Sequence, residues 1–123
     1  MRFNPLILAA FLLAAIAPRV EAHAFLDHAE PKVGSAVTHS PGEIKIWFTQ
    51  NLEPAFSAIQ VQDARGKEVD KKDSHLDSKN KSLLIVSLPK LTAGDYTVVW
   101  RVVSVDTHKT QGHFEFTIKA KRK

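Results

Sequence analysis

Apolar and polar residues alternate over several short stretches of this chain, as expected for strands that bury one face. The clearest stretch follows a Ser-Pro-Gly turn, where Ile44, Ile46 and Phe48 alternate with Lys45 and Trp47. Further strands are predicted near residues 24–28, 35–37, 56–61, 82–88, 96–103 and 113–118. About seven short strands without helical periodicity predict an all-β fold, a seven-stranded antiparallel Greek-key β-sandwich or barrel that is Ig-like or cupredoxin-like.

The two longest patterns also predict which side chains face the core. One face of each strand is apolar, and the inward residues are Tyr96, Val98, Trp100 and Val102, then Phe114, Phe116 and Ile118. Residues 71–81 are polar, which predicts a loop. Trp47 lies on the face opposite Ile46, and the sequence does not decide whether its side chain is buried.

The amino-terminal segment has the organisation of a secretory signal peptide. Arg2 precedes an unbroken apolar run of 12 residues at 6–17, which is too short to span a bilayer, and Val-Glu-Ala at 20–22 has the form of a cleavage site. We therefore predict a signal peptide over residues 1–22, a mature domain over 23–123 and export to the periplasm. Ala22-His23-Ala24 offers a competing cut after Ala24, which would remove His23.

Composition limits the chemistry of the mature chain. Cleavage of 22 of the 123 residues leaves 101, enough for one domain, with no cysteine and with the only methionine, Met1, removed. Imidazole, carboxylate, amine and carbonyl groups remain, and these suit Cu(II), Zn(II) or Ni(II) better than Cu(I). The basic residues are scattered except at 119–123, which we interpret as a solvated end rather than a nucleic-acid or anionic-lipid contact.

Two features predict a metal site. Cleavage after Ala22 would give His23 a free α-amine, so that its amine and ring Nδ1 can chelate one ion. Asp106 and His108 lie two residues apart and can point the same way in extended backbone. Alone, this Asp-x-His pair is a weak signal. Together these groups form a set of three nitrogens and one oxygen that matches the tetragonal preference of Cu(II), with Zn(II) as the alternative. The sequence does not establish that the terminus lies beside the Asp-x-His pair.

Several motifs cover nearly the whole mature domain: His23-Ala24-Phe25-Leu26, Pro31-x-x-Gly34, Ile44-Lys45-Ile46-Trp47-Phe48, Gly94-x-Tyr96-x-Val98-x-Trp100-x-Val102-Val103-Ser104-x-Asp106-x-His108 and Gly112-x-Phe114-x-Phe116. Together they resemble a known family, the CopC family of periplasmic copper-binding proteins. The resemblance implies one Cu(II) ion per mature chain, held by His23, Asp106 and His108. It also implies copper buffering or delivery, with handover to an inner-membrane copper transport protein. From the residues themselves we expect no enzymatic activity, no nucleic-acid partner and no stable membrane insertion after cleavage.

The chain departs from that family in two places. Some members carry a methionine-rich Cu(I) loop, and this chain has no methionine there, so we expect no second site. Thr107 stands where glycine is frequent. If the loop needs a positive φ at this position, we expect the Asp-x-His pair to be displaced, because threonine resists that angle.

Other histidines and other functions complete the predictions. We expect His28, His39 and His75 to be surface, turn and loop residues, and His113 to be a strand-surface residue or, alternatively, a partner that orients a metal ligand. A metal-free β-sandwich used for protein interaction is the first alternative function. The second is a small copper oxidase with an amino-terminal histidine chelate, which the short chain and the additional carboxylate disfavour.

Overall fold

The computed structural model describes residues 25–121. The one helical element of this region is a 3-10 turn, Pro54–Phe56, and none of the described helices has the length and apolarity needed to cross a membrane. The strands are β1 Leu26–Glu30, β2 Ala36–Val37, β3 Glu43–Phe48, β4 Ala58–Gln62, β5 His75–Leu76, β6 Leu83–Ser87, β7 Gly94–Val103 and β8 Lys109–Ile118.

The strands form two four-stranded sheets that pack face to face. The first sheet has the order β1-β3-β6-β5 and the second the order β2-β8-β7-β4. All neighbours are antiparallel except β2 and β8. Because β1 to β4 alternate between the sheets, the chain crosses the sandwich repeatedly, as in Greek-key folds. The predicted all-β two-sheet class is confirmed.

The core lies between the sheets and is built by the alternation seen in the sequence. The inward residues predicted for β7 and β8 are all buried, so the predicted faces are confirmed. Trp100 packs edge-on against Phe48, with ring centroids 5.1 Å apart. On the neighbouring strand Gly112 pairs with Trp100, and a Cβ at position 112 would lie 2.5 Å from Trp100 Cζ2. This position therefore requires glycine because the indole ring fills the space of a side chain.

The chain segment between β4 and β6 covers one side of the sandwich. Its side chains accept hydrogen bonds from backbone N–H groups that have no neighbouring strand to pair with. Asp70 Oδ1 accepts a hydrogen bond of 2.7 Å from Val61 N–H, and Ser74 Oγ accepts one of 2.9 Å from Ile59 N–H on the same edge of β4. Asp73 Oδ1 accepts one of 2.8 Å from Ser87 N–H on β6. These contacts satisfy edge groups that would otherwise be open to another strand.

Several element boundaries differ from the predictions; for example, β8 begins at Lys109 rather than near residue 113. Phe56 belongs to the 3-10 turn, and β4 begins at Ala58, because Pro54 occupies the first turn of that helix, where its fixed φ is favourable. Residues 71–81, predicted as a loop, contain the two-residue strand β5, which pairs with β6. The described residues therefore contain eight strands rather than about seven.

Candidate metal centre

The Asp-x-His pair lies in the loop that joins β7 to β8. The loop, residues 104–108, is closed by a hydrogen bond of 3.0 Å from Ser104 N–H to His108 O and one of 2.8 Å from Thr107 N–H to Ser104 O. Two long paired strands lead into it, so the frame of the sheet holds both ends of the loop. Asp106 and His108 are thereby presented at one end of the sandwich.

Ser104 anchors the carboxylate. Its side chain is fully buried, and its hydroxyl donates to Asp106 Oδ1. This hydrogen bond lowers the pKa of Asp106 below the ordinary 3.8, and the nearby His108 imidazole lowers it further. Asp106 is therefore a carboxylate at neutral pH, which is the form that binds metal.

Asp106 and His108 meet at the surface. Asp106 Oδ2 lies 3.4 Å from His108 Nδ1, and the two side chains are 45% and 51% exposed. Two donors that bind one ion at about 2.1 Å each lie roughly 3 Å apart, so this pair can share an ion after a small side-chain movement. Among residues 25–121, no cluster of three or more histidine and acidic side chains is present, so further donors would have to come from elsewhere.

Thr107 adopts the left-handed conformation between these two residues. Its φ is +72°, and its hydroxyl donates a hydrogen bond of 2.6 Å to Asp106 O. A β-branched residue at positive φ costs about 1–2 kcal/mol, which explains why glycine suits this position. The loop therefore does require a positive φ at position 107. The expected displacement of the Asp-x-His pair is not observed, because Asp106 and His108 remain in contact. The backbone strain stays at Thr107 and leaves the two neighbouring side chains in place.

The first described residue lies at the same end of the molecule. Phe25 N–H donates a hydrogen bond of 3.0 Å to Thr49 Oγ1, and Thr49 N–H donates one of 2.9 Å to Phe25 O. Two residues further on, Asn51 O accepts a hydrogen bond of 3.0 Å from Val105 N–H. Residues 49–51 therefore connect the start of the described chain to the Asp-x-His loop. His23 and both cleavage positions lie outside the described residues.

The other histidines do not join this pair. His113 is exposed on β8 opposite Val99, about five residues and roughly 15 Å along the strand from the loop, too far to orient a ligand there. His75 lies on β5, and His39 is exposed in a turn. His28 stacks on Trp47 with ring centroids 4.3 Å apart, which answers the open question about Trp47: it is half-buried on the outer face of the first sheet.

Sequence reasoning did not single out Ser104 or the surroundings of Phe56. Ser104 appears in the sequence only as one letter of a longer motif, and its burial and its hydrogen bond to Asp106 depend on the fold. Phe56 is 69% exposed beside the loop, whereas it was predicted to begin a strand. Pro54, two positions earlier, was the available signal that the strand begins later.

The fold and this loop together define a class: a two-sheet β domain that presents an Asp-x-His pair at the tip of its longest hairpin. The family model described as the CopC domain matches residues 26–119. The chain therefore belongs to the CopC family, and the family resemblance inferred from the motifs is confirmed.

Individual relatives agree with this assignment. Protein YobA of Escherichia coli is 35% identical over 113 residues, which are 91% of each chain. The solved structure of CopC from Methylosinus trichosporium superposes with a TM-score of 0.77 at 34% identity, over 82% of this chain and 98% of that one. PcoC, a methionine-rich copper resistance protein from Escherichia coli, superposes with a TM-score of 0.70 at 30% identity, over 80% of this chain and 100% of that one.

Proposed function

We propose that the mature chain is an exported periplasmic protein that binds one Cu(II) ion and buffers or delivers copper. In this proposal the signal peptide, residues 1–22, is removed, and the ion is held by the amine and ring nitrogen of His23 together with Asp106 and His108. The role is coordination rather than catalysis. The names of related copper resistance proteins support copper as the cargo.

The observation that carries the proposal is the connection through residues 49–51. Phe25 is hydrogen-bonded to Thr49, and the Asp-x-His loop is hydrogen-bonded to Asn51. A residue two positions before Phe25 lies within about 7 Å of it in any conformation, and the same limit separates Thr49 from Asn51. Cleavage after Ala22 would therefore leave the new terminus only two residues from a segment that is hydrogen-bonded to the residues beside the Asp-x-His loop, and this closeness along the chain supports the proposal.

The donor set favours Cu(II) over Cu(I). Three nitrogens and a carboxylate suit a tetragonal Cu(II) site, whereas Cu(I) prefers thiolate and thioether ligands. PcoC is described as methionine-rich, but this chain has one methionine, at position 1, and no cysteine. The mature protein proposed here therefore has no sulfur ligand to offer.

Protonation should control the affinity. The amine and both imidazoles bind metal only when unprotonated, and free α-amines and imidazoles have pKa values of about 7.7–8 and 6.5. Asp106 stays charged well below these values because its pKa is lowered. We therefore expect Cu(II) affinity to fall steeply below about pH 6 as the nitrogen ligands gain protons.

Cu(II) titration of single variants tests the proposal. His108→Ala and Asp106→Ala should each weaken Cu(II) binding by at least the roughly 10–100-fold that loss of an outer-shell partner costs, because here a ligand itself is lost. His75→Ala is the matched control: it removes an exposed histidine on β5 and should leave affinity unchanged. Equal losses from all three variants would mean adventitious surface copper. Competition with Zn(II), read by EPR, decides which metal the site prefers.

A further inference from the structure

Exposed apolar side chains are concentrated at the end that carries the Asp-x-His loop. Among the described residues, four large hydrophobic side chains are exposed, and three of them, Phe25, Phe56 and Val105, belong to segments at this end. Of these three side chains, Phe56 lies beside a concave surface, and an apolar side chain left exposed in such a place marks a candidate contact with another molecule.

Phe56 borders a groove on the outer face of the second sheet. The groove has a volume of about 820 Å³, and its walls include Phe56, Arg101, Val103, Thr107, Lys109 and Gln111. Arg101 pairs with Gln111, and Val103 with Lys109, across the β7–β8 hairpin, so the floor of the groove is the regular sheet. We call this feature the Phe56 groove.

The charge of the Phe56 groove is positive. Within residues 25–121, Arg101 and Lys109 line it, no acidic side chain does, and neither cation forms an ion pair. The occupant should therefore carry carboxylates beside an apolar side chain. A second copy of this chain is disfavoured because the full chain has a formal net charge of +4, so two copies repel each other on approach.

The groove adjoins the metal-binding loop. Thr107, which lines the groove, is the residue between Asp106 and His108. A molecule seated there is within one residue of two of the proposed copper ligands. This position suits a molecule that exchanges copper with the loop rather than one that only binds the domain.

We propose that the Phe56 groove is the docking site for an acidic segment of a protein that gives copper to, or takes copper from, the Asp-x-His loop. Phe56 contacts an apolar side chain of that segment, while Arg101 and Lys109 attract its carboxylates and speed the encounter. A protein segment is favoured over a membrane because the surface is concave and carries only two cations, which attract an anionic lipid surface weakly. This inference rests on the proposed function of the loop.

Two synthetic peptides provide the test. Both begin with a histidine, whose free amine and ring can accept Cu(II), and continue with leucine and phenylalanine alternating with either glutamate or lysine. The first measurement is a titration of the metal-free mature protein by NMR, which reads amide shifts without copper. We expect the glutamate peptide to shift Phe56, Arg101 and residues 107–111 saturably, and the lysine peptide to leave them unchanged.

Variants assign the binding to the groove. Lys109→Glu and Arg101→Glu should each weaken binding of the glutamate peptide about tenfold, and Phe56→Ser should weaken it by a similar factor. Lys90→Glu reverses an exposed charge near Gly42, at the opposite end of the sandwich, and should have no effect. The variants that weaken binding of the glutamate peptide most should also slow Cu(II) transfer to that peptide most.

Several outcomes would overturn the docking site. They are equal binding of both peptides, shifts outside the groove, an equal effect of Lys90→Glu, and binding to phosphatidylserine vesicles that is lost in the same groove variants. The proposed function fails separately. If no form of the protein binds Cu(II) while the glutamate peptide still occupies the groove, the copper role is wrong and only the docking surface stands.

Discussion

The β7–β8 hairpin consists of two regions that meet very different physical demands. In its body, Trp100 and Phe114 are buried in the core, and the indole lies so close to Gly112 that one added carbon there would collide with it. In its loop, Asp106 and His108 are about half exposed, and Thr107 is strained between them. Stability and the proposed chemistry thus lie on the same hairpin but on different residues, so substitutions should change one without the other.

The body of the hairpin should show the largest effect on stability. Gly112→Ala places a Cβ within 2.5 Å of Trp100 Cζ2, and overpacking of this kind costs about 1–3 kcal/mol in unfolding free energy. Gly42→Ala is the matched control, since nothing lies within 4 Å of a Cβ there and its φ is not in the left-handed region. Urea unfolding followed by tryptophan fluorescence measures both. If the two variants were equally stable, the indole ring would have moved aside without lowering the free energy of unfolding.

A substitution in the loop should raise the stability of the protein, whereas Gly112→Ala lowers it, and the change should be smaller. Thr107→Gly relieves the positive φ, but it also removes the hydroxyl bond to Asp106 O and frees the unfolded chain, so we expect a net gain of no more than about 1 kcal/mol. Thermal melts of the metal-free protein give the change. Cu(II) affinity should stay within about threefold, because the ligands are unchanged. A marked loss of stability would show that threonine at position 107 is not strained.

The smallest effect concerns the loop carboxylate and depends on pH. The pKa of Asp106 is lowered in the folded state, so its charged form stabilises the fold above its unfolded pKa, and this contribution is lost as pH falls through the folded pKa. In the metal-free protein, Asp106→Asn should therefore lower Tm slightly at about pH 7, and the difference in Tm should shrink as the pH falls below the ordinary pKa of 3.8. Asp73, whose pKa is lowered by its hydrogen bonds to Ser87, should behave in the same way. A difference in Tm that grows on acidification would contradict this sign.

Regular alternation made the body of the hairpin predictable. Period-two patterns identified the buried faces of β7 and β8, because a strand with one side in the core must alternate. The Asp-x-His pair was also visible, since its spacing is local. These features required no knowledge of which strands are neighbours.

The remaining features depend on contacts between distant segments. The burial of Ser104 and its bond to Asp106, the contact between Trp100 and Gly112, and the position of Phe56 beside the loop follow from how the sheets pack. The short strand at His75–Leu76 pairs two residues only, too few to leave a pattern in a polar stretch. Local sequence has no signal for such features.

The most direct test compares two forms of the protein that differ by one residue at the amino terminus. One form begins at His23 and the other retains Ala22, which converts the amine of His23 into an amide while leaving its ring and the hairpin loop intact. Each form is verified by intact mass and titrated with Cu(II) at about pH 7, where the ring nitrogens bind metal. The account predicts that the form with the additional alanine binds Cu(II) about 100-fold or more weakly. Equal affinity of the two forms would show that the amine is not a ligand and would contradict the proposed copper site.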